Sequence, residues 1–316
     1  MSAKKNFFVS LLLIAFFVSA CAIKRSKPDF KTFEELEQTD TQMEFPITPG
    51  GKTTPSETAL TKKNGITLVL GGAGIASFAT VGLLKRLKTE GVKVDLIVAS
   101  GWPAMFALAY GSFKSVHDLE WFAMRLQSED FEKACRIKKG TDLGSLSKLV
   151  ESFLKKKELQ DSQIPIVIVA GNTENEKQGV FDSGDWSTPL LKTLPLPGLY
   201  RGFPEQNGSF PGVFDLQSFG VSEARKRGAS PIFVVNMYSD YLNFFKDSSQ
   251  KENPEKPTIR KIFLASLRKN IREEAGQADG VFEVELKGNP LDFSRKRAAF
   301  LAGSQKAVQI IRKIWK

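Results

Sequence analysis

The sequence predicts a three-layer α/β domain with a mostly parallel central sheet over residues 64–316. Three observations carry that expectation. Between Ile66 and Gly111, short β-rich apolar runs alternate with stretches of helical apolar spacing, punctuated by glycine turns. The same alternation returns near the end, where Pro231–Asn236 follows a helical stretch. The segment is long enough to bury a full three-layer core, and it contains no internal repeat.

The elements follow in order. Ile66-Thr67-Leu68-Val69-Leu70 is a strand, and Gly71-Gly72-Ala73-Gly74-Ile75-Ala76-Ser77 is a glycine-rich loop. Phe78 to Thr89 has helical spacing, and Val94 to Ala99 is the second strand. That strand turns sharply at Ser100-Gly101-Trp102-Pro103 into a helix from Ala104 to Tyr110. Pro103 suits a helix's first turn, where its missing N–H had no partner to lose. Ser115 to Gln127 reads as an amphipathic helix with Val116, Leu119, Phe122, Ala123 and Leu126 on one stripe. Asp185, ahead of Trp186-Ser187-Thr188-Pro189, starts another helix. Gly212-Val213-Phe214-Asp215 leads past Leu216 and Gln217 into a helix through Ala224 to Gly228. Ala278 to Val284 is a late strand, and Leu291-Asp292-Phe293-Ser294 opens the closing helix with Gly303.

The order of these segments resembles the patatin-like acyl hydrolases, which cleave lipid esters, and the resemblance covers nearly all of residues 64–316. It implies an oxyanion loop at Gly72, Ala73 and Gly74, whose backbone N–H groups can hold an anion. Family members usually place an Arg where this chain has Ala76. The family's Asp and G-x-S-x-G elbow, set in register by Asp95, align the elbow with Ala99, Ser100, Gly101, Trp102 and Pro103. The nucleophile slot is therefore Gly101, which carries no nucleophile. Ser100 would face a substrate only if the elbow slipped by one residue, because adjacent strand side chains leave on opposite faces. The family's second catalytic residue, an Asp acting as base, matches Asp215, with Leu216 and Gln217 where small residues are usual. The resemblance thus implies a catalytically inactive homologue that binds lipid or an envelope partner. Its alternatives are an active serine acyl hydrolase and a structural envelope protein with a filled pocket.

The N-terminus points to the envelope. Lys4 and Lys5 precede an apolar run from Phe7 to Val18, and Ser19-Ala20-Cys21 follows. This order describes a signal peptide over residues 1–20 and resembles a bacterial lipobox, making Cys21 the lipidated first residue of the mature chain. Residues 21–63 are polar and rich in Lys, Thr, Glu and Pro, the composition of a flexible tether. The expected partner is a membrane, reached through the lipid on Cys21, with a phospholipid or acyl chain as a further ligand. Ala22 is not the Asp that favours inner-membrane retention, so the outer membrane is preferred.

Composition excludes other classes. Two cysteines rule out a disulfide scaffold, and if Cys21 is acylated then Cys135 has no partner within the chain. His117 is the single histidine and lies off the buried stripe of its helix, so neither a metal site nor a His-based triad is expected, and no cofactor is implied. The formal charge is +10, and residues 255–316 carry 14 Lys and Arg against 7 Asp and Glu. Such a basic region suits anionic headgroups, but with Arg295-Lys296-Arg297 its only tight cluster the favoured reading is a solvated helix face that aids solubility. No nucleic-acid recognition motif accompanies it, so nucleic acid is not an expected partner.

Overall fold

The computed structural model describes residues 65–112, 115–127, 150–151, 154, 158–172, 177–194, 220–248 and 259–315. Cys21, Cys135 and Asp215 lie outside the described residues, as do the leader and tether segments.

Six strands form one sheet. They are β1 (Ile66–Gly72), β2 (Val94–Gly101), β3 (Ile166–Asn172), β4 (Lys177–Phe181), β5 (Ile232–Met237) and β6 (Gly280–Glu283). Their spatial order is β4-β3-β2-β1-β5-β6. All neighbours are parallel except β3 and β4, so the chain has a mostly parallel α/β fold. Every residue of β1 is buried, which is why, apart from Thr67, its sequence is an apolar run rather than an alternating one.

Eight α-helices surround the sheet among the described residues. They are α1 (Ala79–Thr89), α2 (Pro103–Ser112), α3 (Val116–Arg125), α4 (Ser187–Thr193), α5 (Val221–Lys226), α6 (Ser239–Ser248), α7 (Ile259–Ala275) and α8 (Lys296–Ile314). A 3-10 turn, Gly74–Phe78, joins β1 to α1. The sheet grows from β1 toward β2 and β3 on one side and toward β5 and β6 on the other. Right-handed crossovers then require α1 and α7 to lie on opposite faces, which makes three layers.

The outer helix α8 packs along α1 at backbone distance. A Cβ on Gly303 would sit 1.8 Å from the Ala79 carbonyl, and one on Gly82 would sit 1.9 Å from the Phe300 carbonyl. Only glycine allows so close an approach, and it is met from both helices. Lys296, at the first turn of α8, is buried and donates to the carbonyls of Met124 and Leu126 at the end of α3. Its Nζ also lies 5.7 Å from the centre of the Phe78 ring. A cation at the open carbonyls of a helix end stabilises that end. No helix of the described residues is long and apolar enough to cross a membrane.

Candidate functional site

The carboxyl ends of β1, β2 and β5 meet at one place, and open parallel sheets bind ligands at such a reversal of strand order. In register, Gly71 pairs with Ser100 and Gly72 with Gly101 on one side, and Gly72 pairs with Met237 on the other. Beyond Gly101 the chain turns directly into α2 at Pro103.

Gly101 is the left-handed residue of this turn, with φ of 68°. Ser100 precedes it inside β2 and is completely buried. The hydroxyl of Tyr238 and the carbonyl of Gly72 close over Gly101. A Cβ built there would lie 2.3 Å from the Gly72 oxygen and 2.7 Å from the Tyr238 oxygen. The space into which a nucleophile would project is therefore already filled. Tyr238 is itself fully buried, and that burial pushes its phenol well above the ordinary tyrosine range; hydrogen bonding to Ser100 and to the Gly72 backbone pulls the other way.

Acyl transfer would also need free donors for the developing oxyanion. Here the N–H of Trp102, the residue after the slot, donates to the Gly72 carbonyl at 3.1 Å. In the glycine loop, Ala73 N–H reaches the Met237 carbonyl at 3.4 Å, and Ile75 N–H donates to the Pro290 carbonyl at 2.7 Å. Of the three loop residues expected to offer an N–H to an anion, Ala73 has its N–H directed at the Met237 carbonyl. Ala76, where the family carries Arg, is buried without exposure.

The elbow is fastened from the opposite side by Thr193 at the end of α4. Gly101 N–H donates to Thr193 Oγ1 at 2.8 Å, and that hydroxyl donates to the Val169 carbonyl of β3 at 2.8 Å. Around the turn, Trp102 has no exposure and lies 6.1 Å from Phe293, ring centre to ring centre. Phe293 meets Phe78 at 5.7 Å, and Phe78 meets Phe106 at 4.8 Å. Trp102, Phe293, Phe78 and Phe106 thus form one aromatic cluster beside the turn. Ser77 Oγ is buried near Gly72, with no hydrogen-bond partner among the described residues.

The other sequence candidates fall elsewhere. His117 is exposed, and its backbone N–H donates to the Ser115 hydroxyl in a helix cap. Asp185 accepts from Ser187 Oγ and from the Thr188 N–H at 3.4 Å, as a helix-starting residue does. Among the described residues no group of His, Cys, Asp and Glu could hold a metal ion. Tyr238 and Thr193 escape sequence reasoning altogether. Nothing local marks them, since both act on Gly101 from distant segments.

The fold and this turn define an α/β domain with a strand-to-helix elbow at a strand-order reversal. No family model matches the chain. Among solved structures it is similar to VipD from Legionella pneumophila, with 11% identity and a TM-score of 0.43, over 78% of this chain and 67% of that one. A likeness at that level says nothing about activity.

Proposed function

We propose that this chain is a patatin-like domain that does not hydrolyse, tethered to the bacterial envelope by a lipid on Cys21 and acting there as a binding protein. The observation that carries the reading is the closed slot at Gly101. Not only is the hydroxyl missing; the Gly72 carbonyl and the Tyr238 hydroxyl stand where it would project. Loss of a nucleophile alone can leave residual turnover from the oxyanion donors. In this chain the Trp102 N–H that would stabilise the oxyanion is bonded to Gly72, which argues against that residue of activity. Binding of an acyl chain beneath the elbow is disfavoured by the buried Trp102 and its aromatic neighbours, so contact with lipid or partner belongs to other surfaces.

The rival reading is a serine hydrolase that uses Ser100. It is weakened because Ser100 lies within β2, one residue before the left-handed turn, and has no exposure. A serine-reactive fluorophosphonate probe separates the two. The wild-type chain should remain unlabelled at probe concentrations that saturate an active esterase. Labelling that disappears in Ser100→Ala would restore the hydrolase. The tether is checked separately, by mass spectrometry of the native N-terminal peptide, which should begin at an acylated Cys21; a mature chain starting elsewhere would remove the anchor.

A further inference from the structure

A cleft of about 380 Å³ opens beside the carboxyl ends of β5 and β6. Four charged side chains line it. Arg268 and Arg272 come from α7, one helical turn apart, and Glu283 and Glu285 come from the end of β6 and the residues after it.

Two of these charges, Glu283 and Arg268, are held by hydrogen bonds, and in neither case by another charge. Glu283 is fixed by neutral donors only. Asn236 Nδ2 gives hydrogen bonds to both of its oxygens, at 3.0 and 2.8 Å, and Ser239 Oγ gives another at 2.7 Å. Asn236 is itself locked, because its Oδ1 accepts the Tyr238 N–H at 3.0 Å. Arg268 Nη2 donates to the Leu242 carbonyl at 2.8 Å and to Asn243 Oδ1 at 3.3 Å, again neutral acceptors. Among the described residues, none of the four charged groups forms an ion pair. Leu242 and Ile271, nearly fully buried, supply apolar surface to the same cleft.

Two guanidinium groups and two carboxylates line one small cavity without neutralising each other. Arg272, Glu283 and Glu285 are exposed and Arg268 is half-buried, but the neutral anchors hold Arg268 and Glu283 in place at the cleft. The charges remain for a ligand that meets both signs. Arg binds oxyanions through a planar fork, and a fixed carboxylate takes an ammonium. The volume lies within the range of small-molecule sites, and the cleft opens at the carboxyl ends of two parallel strands, one strand away from the reversal of strand order.

We propose that this cleft binds a small zwitterion, a primary ammonium joined by a short carbon link to an oxyanion. The oxyanion sits at Arg268 and Arg272, and the ammonium at Glu283 and Glu285. The site shares none of the Gly101 turn, so it stands whether or not the chain hydrolyses anything. The same chemistry is carried by a phosphoethanolamine lipid headgroup and by a free soluble zwitterion.

Calorimetric titration of the full chain in a neutral detergent tests it, with O-phosphoethanolamine, glycerol phosphate and ethanolamine as probes. O-phosphoethanolamine should bind at least tenfold more tightly than either single-charge probe. Glu283→Gln should remove most of that advantage while leaving glycerol phosphate unchanged, and Arg272→Gln should weaken both phosphate probes. Glu285→Gln, at an exposed position, repeats the first test should Glu283→Gln disturb folding. Vesicles of phosphatidylethanolamine against phosphatidylglycerol identify the source. A preference for the first that is lost in Glu283→Gln assigns the lipid headgroup, and its absence alongside binding of the free probe assigns a soluble ligand. Equal affinity for all three probes, no binding of any, or affinities indifferent to Glu283, Glu285 and Arg272 would overturn the proposal.

Discussion

Restoring the missing hydroxyl by Gly101→Ser should break the turn rather than revive a hydrolase. Gly101 has φ of 68°, a conformation that costs a residue with a Cβ roughly 1–2 kcal/mol. The new Cβ would also start 2.3 Å from the Gly72 carbonyl oxygen and 2.7 Å from the Tyr238 hydroxyl. Neither neighbour yields freely. Gly72 is paired to β2 and β5 in the centre of the sheet, and Tyr238 is fully buried. Overpacking of this kind adds about 1–3 kcal/mol. Together the two effects cost roughly 2–5 kcal/mol. In a domain of this size each kcal/mol lowers Tm by about 2–4 °C, so Tm should fall by about 4–20 °C. Differential scanning calorimetry of wild type, Gly101→Ser and Gly101→Ala measures it. Alanine brings the same Cβ without the hydroxyl and should lose nearly as much as serine, while fluorophosphonate labelling of the serine variant stays at background. A serine variant that melts within about 2 °C of wild type and takes the probe would refute the reasoning, because the slot would then be open and short of nothing but a hydroxyl.

Two further outcomes follow from the same neighbourhood. Thr193→Val keeps the shape but strands the Gly101 N–H and the Val169 carbonyl, each buried, and should cost about 1–3 kcal/mol in urea denaturation; an unchanged midpoint would show that water replaces the hydroxyl without loss. Tyr238 is held neutral in the folded chain by burial, whereas the unfolded chain ionises it near pH 10. Its folded value is raised, so its share of stability is fully present below about pH 10 and is lost as pH rises toward the folded value. The gap in unfolding free energy between wild type and Tyr238→Phe should therefore change between pH 9 and pH 11, in the direction of wild type losing more; parallel alkaline profiles would contradict it.

Much of the architecture is legible in local sequence. The β1 run, the second strand into its glycine turn, the strand after Gly228 and the closing helix are all written by apolar period, glycine and proline within a few residues of where they act. The elements differ at their ends: β1 extends to Gly72 and β2 to Gly101, because pairing with neighbouring strands continues the ladder past the apolar run. The sequence reading passes over β3, although Ile166-Val167-Ile168-Val169 is a β-branched run like β1, and over its antiparallel partner β4, whose polar Lys177-Gln178-Gly179 start gains its identity from pairing with β3. The same division runs through the site. That residue 101 is a glycine at a sharp turn can be read from the chain; that its empty side is closed cannot. The closure comes from Tyr238 after β5, the anchoring from Thr193 on α4, and the partner of the glycine loop from Pro290 before α8. A turn is a local conformation and leaves a local signature in glycine and proline. The filling of space is decided by side chains and carbonyls that only folding brings together, and no period or spacing in the sequence encodes it.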